Sequence, residues 1–168
     1  VGVAGTDEKC QFLINELNFD AAVNYKAKTL YSDLREATPD RVDVIFDNIG
    51  GPLLDTLFRR LGIGARIIVS GATSQYNNET IYGPTNYLAL ATMRARMEGF
   101  IIFDYEDRYQ AARVEMIEWV KRGELKLVEN IVDGGVGDYP NVLHRLYGGG
   151  NVGKMLLRLP AANKGARA

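Results

Sequence analysis

Cysteine and histidine are almost missing from this chain: Cys10 and His144 are the single examples of each in 168 residues. One cysteine excludes an intrachain disulfide framework, and the pair is too little for a zinc cluster, so no metal site is expected. Charge of one sign is missing too: 20 basic residues against 21 acidic ones leave a net charge of -1. That balance gives no global field for gathering nucleic acid or an anionic membrane surface. No apolar stretch approaches the ~20 residues of a membrane helix, and the first residues do not read as a signal peptide. The expected setting is reducing and cytoplasmic.

What is present is a hydrophobic content of 46% with 24% charged residues, values of a globular domain with enough length for one core. Two apolar runs stand out. Val42-Asp43-Val44-Ile45-Phe46 leads into Asp47-Asn48-Ile49-Gly50-Gly51, and Ala65-Arg66-Ile67-Ile68-Val69 leads into Ser70-Gly71-Ala72-Thr73-Ser74-Gln75-Tyr76. Runs of this length with helical spacing between them predict buried parallel strands. In such sheets ligands bind beyond the carboxyl ends of the strands, where both polar loops fall.

The rest of the chain extends the alternation. Val1–Ala4 reads as a strand end, followed by a helix capped at Gly5-Thr6-Asp7, a short strand at 21–25 and a helix over 29–37. Leu53, Leu54, Leu57, Phe58 and Leu61 form a helical stripe, closed by Gly62 and Gly64. Residues 70–86 form a long polar loop, a short helix follows from Tyr87 to about Arg94, and Met97–Phe103 reads as an edge strand. Asp104–Arg122 predicts the longest helix, with Tyr109, Ala112, Met116 and Val120 on one face. Beyond Gly123 the pattern becomes extended at 125–132, helical over Tyr139–Tyr147 and extended again over Val152–Leu159. The expected class is α/β, a partial Rossmann-type doubly wound parallel sheet over 1–123. A small β-rich segment occupies 124–159, and a disordered tail is expected at 160–168.

Three groups carry candidate chemistry. Thr6 and Lys9 put a hydroxyl and a cation at the end of the first strand, where a dinucleotide fold selects at the ribose 2′ position. That pair suits a 2′-phosphate and favours NADP over NAD, against the plain reading of a capped helix start. Asn48 with Gly50-Gly51, and Ser70-Gly71-Ala72, permit close backbone approach to a ligand or form ordinary tight turns. Tyr76, Tyr82, Tyr87 and Thr92 supply hydroxyls around the long loop, able to stabilise an oxygen that gains charge or merely to pack. His144, among Val142, Leu143 and Leu146, reads as structural, and no nucleophilic triad is apparent.

Taken together, these pieces resemble the zinc-independent medium-chain dehydrogenases/reductases, in the prostaglandin reductase, alkenal double-bond reductase and curcumin-reductase-like branch. The carriers are Val3–Lys9, Asn24-Tyr25-Lys26, Phe46–Gly51, Gly71–Asn77, Arg96–Phe100 and Asn151–Lys154, in the family's order and spacing. The resemblance implies NADP(H) as cofactor, with Lys9, Thr6 and Tyr25 at its 2′-phosphate and Asn48 along it. It implies Ser70, Gly71, Ala72, Thr73, Ser74 and Tyr76 on the nicotinamide side, Phe100, Ile101 and Ile102 beside the nicotinamide, and Asn151 closing over the cofactor.

The implied reaction is NADPH-dependent reduction of the C=C bond of a small α,β-unsaturated ketone or aldehyde, without a metal. Tyr76, Tyr87 or Thr92 would stabilise the enolate; some relatives carry a tyrosine where Thr92 stands. The resemblance also implies a homodimer through strand 97–103. The family's substrate domain, first Rossmann strand and glycine-rich phosphate loop are not in this sequence. The expected identity is therefore the carboxyl-terminal part of such a reductase, weak or inactive alone. Rival readings are a non-catalytic dimerisation module and a quinone reductase of a sister branch. Loss of strand one would expose two apolar edges, at Val1–Ala4 and Val42–Phe46.

Overall fold

A computed structural model describes residues 1–160; most of the tail expected to be disordered, 161–168, lies outside the described residues. The chain forms two compact units, Val1–Gln110 and Ala111 onward. In the first, β1 (Gly2–Ala4), α1 (Asp7–Asn15), β2 (Ala22–Asn24) and α2 (Leu30–Ala37) come first. They are followed by β3 (Val42–Asp47), α3 (Gly51–Phe58), β4 (Leu61–Val69), α4 (Leu88–Thr92) and β5 (Arg96–Gly99). A 3-10 stretch, Ile102–Arg108, leads into α5 (Tyr109–Lys121), followed by β6 (Glu129–Asp133), α6 (Tyr139–Tyr147) and β7 (Lys154–Arg158).

All strand pairs are parallel, as the strand–helix alternation predicts. β1 pairs with β2, while β3, β4 and β5 form a separate sheet in that order, with Ile45, Ile67 and Met97 in register. The expected gap lies between the sheets. An open groove of about 510 Å³ separates β1 from β3, lined by Val1, Val3, Val42, Val44, Phe46 and Leu57 among others. In the second unit β6 and β7 pair, and α5 buries none of its residues, including its expected apolar face. His144 is exposed near the end of α6.

One core holds the first unit. Val23, Leu34, Ile45, Leu53, Leu54, Leu57, Phe58, Leu61, Ala65 and Ile67 form a single buried cluster. The i, i+1, i+4, i+5 spacing on α3 puts Leu53, Leu54, Leu57 and Phe58 on one face, against the alternating inward residues of β3 and β4. Arg60 is buried beside this core, where its Nε donates to Thr38 Oγ1 at 3.1 Å and its terminal nitrogen donates to the Thr38 carbonyl.

Several element boundaries differ from expectation, and the helix expected from Asp104 begins only at Tyr109, after the 3-10 stretch. Gly62 and Gly64 do not end a helix; α3 stops at Phe58 and both glycines lie inside β4. A Cβ at Gly62 would sit 2.9 Å from Asp43 Oδ1 and 3.4 Å from the Val42 carbonyl, beside a register shift in the β3–β4 ladder. Glycine there permits the close strand approach. The edge strand also ends at Gly99 rather than Phe103. Gly99 pairs with Val69, the last residue of β4, so Phe100–Phe103 have no neighbouring strand to continue the ladder.

Candidate active site

Both polar loops fall at the carboxyl ends of parallel strands, and the backbone knits them together. Asp47 shapes the first: its Oδ1 accepts from the amides of Ile49 and Gly50 at 3.1 and 3.0 Å, turning the chain sharply into α3. Gly50 and Gly51 both have positive φ, 68° and 63°, which non-glycine residues adopt only at a cost. Their missing side chains admit the second loop. A Cβ at Gly51 would lie 2.6 Å from Gln75 Nε2, and one at Gly50 would lie 3.1 Å from the Ala72 Cβ.

The second loop then bonds along the first. The Ser70 amide donates to the Asp47 carbonyl at 2.7 Å, Thr73 to Asn48 at 3.0 Å, and Ser74 to Ile49 at 3.1 Å. Ser74 Oγ adds a 2.7 Å donation to the Ile49 carbonyl. The glycines thus serve a tight turn that admits the neighbouring loop, and the two loops together make a platform.

On that platform Asn48, Gly71 and Tyr76 converge. A Cβ at Gly71 would lie 2.5 Å from Asn48 Oδ1 and 2.7 Å from the Tyr76 hydroxyl. The Ala72 amide donates to the Tyr76 oxygen at 3.4 Å, leaving the phenol O–H to donate elsewhere. An amide, a bare backbone and a phenol thus meet in partly exposed surroundings, an arrangement able to hold a planar polar group and donate to an oxygen.

The far end of the loop is fastened to α3. Asp55, only 6% exposed, accepts at Oδ2 from the Tyr82 hydroxyl at 3.0 Å and from Thr85 Oγ1. Its Oδ1 accepts from the Asn86 amide at 2.7 Å, and Asn86 Nδ2 donates to the Asp55 carbonyl at 3.1 Å. Burial pushes the Asp55 pKa up, but donation from Thr85, Asn86 and Tyr82 outweighs it and holds the carboxyl below its ordinary value. Buried Gln75 braces the middle, its Oε1 accepting from the Tyr82 amide at 2.8 Å.

A second cluster surrounds the end of β1. Thr6 is the N-cap of α1, its hydroxyl accepting from the Lys9 amide at 3.3 Å. Tyr25 packs on Gly5, and Lys26 Nζ lies 5.7 Å from the centre of the Tyr25 ring. Asn24 Nδ2 donates to Asp7 Oδ1 at 2.8 Å while its Oδ1 accepts from the Lys26 amide at 3.0 Å, tying the end of β2 to the start of α1. Thr6, Lys9 and Tyr25 are the cofactor candidates in the sequence; Gly5, Asn24 and Lys26, their neighbours in the same two motifs, come to this place with them through the β1–β2 pairing.

The remaining candidates are less gathered. Phe100 is half-buried, with its ring centre 6.1 Å from Phe46 and 6.2 Å from Tyr105, while Ile101 and Ile102 are exposed beyond the end of β5. Tyr87 is exposed at the start of α4, and Thr92 Oγ1 donates to the Ala89 carbonyl of that helix at 3.3 Å. Asn151 belongs to the second unit, where its Nδ2 donates to the Gly153 carbonyl at 2.7 Å. The sequence reading missed Asp55 and Asn86; the signal for Asp55 was a carboxylate inside the apolar stripe of α3. Among the described residues no three His, Cys, Asp or Glu side chains gather as a metal site requires, and no helix is long and apolar enough to cross a membrane.

A family profile described as zinc-binding dehydrogenase matches residues 1–120. The chain is 38% identical over 158 residues to a 2-alkenal reductase (NADP(+)-dependent) of Nicotiana tabacum, covering 94% of this chain and 46% of that protein. It is 36% identical over 165 residues to the NADPH-dependent curcumin reductase of Escherichia coli (strain K12), covering 95% of this chain and 48% of that one. The crystal structure of CurA in complex with NADPH from Vibrio vulnificus superposes with a TM-score of 0.87 at 34% identity, over 95% of this chain and 49% of that one. The chain therefore spans about half the length of the curated relatives it matches.

Proposed function

The chain belongs to the zinc-binding dehydrogenase family, and from that membership we propose that it is the cofactor-binding part of an NADPH-dependent reductase of α,β-unsaturated ketones or aldehydes. The observation that carries the cofactor choice is the cluster at the end of β1. Around Gly5 stand the Tyr25 ring as one wall and the Lys26 side chain beside it, and Thr6 caps the helix whose first turn carries Lys9. A Cβ at Gly5 would come within 3.1 to 3.4 Å of Tyr25 and Lys26, so the space beside the turn depends on its absence. A hydroxyl and lysines suit a 2′-phosphate, a dianion that seeks cations and hydroxyls, while the neighbouring Asp7 carboxylate is engaged by Asn24 Nδ2 at 2.8 Å.

The platform of Asn48, Gly71 and Tyr76 fits the nicotinamide end, with Ser70–Ser74 alongside and Phe100, Ile101 and Ile102 as apolar neighbours. When bound, the reduced cofactor supplies a hydride to the β-carbon of the enone. Charge then moves to the carbonyl oxygen, where a donated O–H lowers the energy of the enolate. Tyr76, with its proton still available, and Tyr87, exposed at the start of α4, are the candidate donors. Thr92 is the weaker one, because its O–H is engaged by Ala89. A proton is added at the α-carbon to complete the reduction, and the reaction calls for no metal. The similarity of the chain to an alkenal reductase and a curcumin reductase supports this substrate class.

The test is calorimetric titration with NADPH and with NADH, alongside Lys9→Ala. Preferential NADPH binding that weakens in the variant supports the reading. Equal or absent binding of both nucleotides favours a non-catalytic interaction module, a rival supported by the exposed Val44 and Phe46 on β3.

A further inference from the structure

Asp55 does more than fill a place in the core stripe of α3. A carboxylate so buried is costly without partners, and the Tyr82 and Thr85 hydroxyls and the Asn86 backbone amide that donate to it lie in one five-residue stretch of the long loop. That loop is held at its start by the 47–49 turn and at its end by Asp55. The span 76–81 between these anchors is exposed.

Asn86 is held twice by the same residue, through its amide and its side chain, and Tyr87 follows it directly. Because α3 starts at the Asn48 turn, fixing Asn86 to α3 also fixes the backbone of Tyr87 relative to Asn48 and Tyr76. We propose that Asp55 is a positioning residue, which clamps the exit of the 70–86 loop and so places the Tyr87 hydroxyl on the substrate side of the site. The role of that hydroxyl rests on the reductase reading above; the clamp itself does not. Tyr82 and Thr85 act with Asp55, since both donate to its Oδ2.

The experiment has two arms. The first follows amide hydrogen exchange across residues 42–92 of this chain in Asp55→Ala and in the double variant Tyr82→Phe/Thr85→Val, which leaves α3 intact. Exchange at 82–87 should quicken by about tenfold or more in both, with β3 and β4 unchanged. Unchanged exchange at 82–87 in the double variant and in a folded Asp55→Ala overturns the clamp. If Asp55→Ala does not fold, the double variant decides alone.

The second arm measures steady-state enone reduction by the full-length protein. The double variant should lower kcat with the KM for NADPH held, and should cost nothing further in a Tyr87→Phe background. An equal loss in that background overturns positioning through Tyr87. A wild-type protein that binds no NADPH and reduces no enone removes the reductase reading, while the exchange arm still decides the clamp.

Discussion

Tyr25 lies against Gly5 so closely that a methyl group on residue 5 would stand 3.1 Å from the ring Cε1 and 3.2 Å from the hydroxyl. To admit that methyl the ring must give by a few tenths of an ångström, and the Lys26 Cε stands 3.4 Å from the same point. Gly5→Ala should therefore weaken NADPH several-fold while leaving the fold intact. Lys9→Ala and Lys26→Ala should each weaken NADPH by about tenfold and leave NADH nearly unchanged, because only the former carries the dianion. The preference should shrink as salt is raised. Calorimetric titration of the three variants with both nucleotides, at low and moderate salt, checks this.

Gly71 is the tighter case. At 2.5 Å from Asn48 Oδ1 and 2.7 Å from the Tyr76 hydroxyl, an added Cβ cannot be accommodated without moving both groups. Gly71→Ala should abolish measurable NADPH binding while the melting temperature falls only modestly, since residue 71 lies outside the core cluster. Retained binding with unchanged affinity would show that Asn48 and Tyr76 do not hold the cofactor.

The parallel strands and their polar loops are legible in the sequence because apolar runs, turn residues and helical stripes all agree at β3, α3 and β4. The failures have a common cause in tertiary pairing. Phe100-Ile101-Ile102-Phe103 has every local property of a strand, yet its ladder stops where β4 stops, at Val69. Gly62 and Gly64 look like helix terminators, but the close approach of β4 to Val42 and Asp43 is what requires a glycine at 62. The 2′-phosphate candidates Thr6 and Lys9 stand near each other in the chain and were visible. Asn24-Tyr25-Lys26 stands out in the sequence through the family resemblance, and β1–β2 pairing is what brings it beside Thr6, whereas Asp55 meets its partners 27 to 31 residues away.

Asp55 also sets a pH dependence. Its carboxyl titrates below its ordinary value in the folded chain, so the charged form binds its donors and stabilises the fold above the unfolded pKa, about 3.9. The contribution is lost as pH falls through the lower folded value. Wild type should lead Asp55→Asn in thermal unfolding by a constant margin from neutral pH down to roughly pH 5, and the margin should narrow as the medium becomes more acidic than about pH 4. A margin that grows in acid would mean that the buried carboxyl is held protonated.

The groove between β1 and β3 gives the last prediction. Among the described residues β3 has a ladder partner only in β4, and β1 only in β2, so two parallel strands border one slot of about 510 Å³ lined by valines and Phe46 together with Arg41 and Asp43. Val44, 51% exposed, lies midway along β3 and lines it. At its end Asp47 Oδ2 is buried without a hydrogen-bond partner, although Oδ1 of the same carboxyl has two. Unpaired edges of this kind template association with other strands. The chain should therefore self-associate as its concentration rises, and sedimentation velocity over a hundredfold dilution should show the mass falling. Val44→Lys puts a charge in the middle of the edge, the device by which natural sheets discourage such pairing, and should shift the distribution to monomer. A wild-type chain that sediments as a monomer at every concentration, and melts no differently from Val44→Lys, would show that these edges do not drive association.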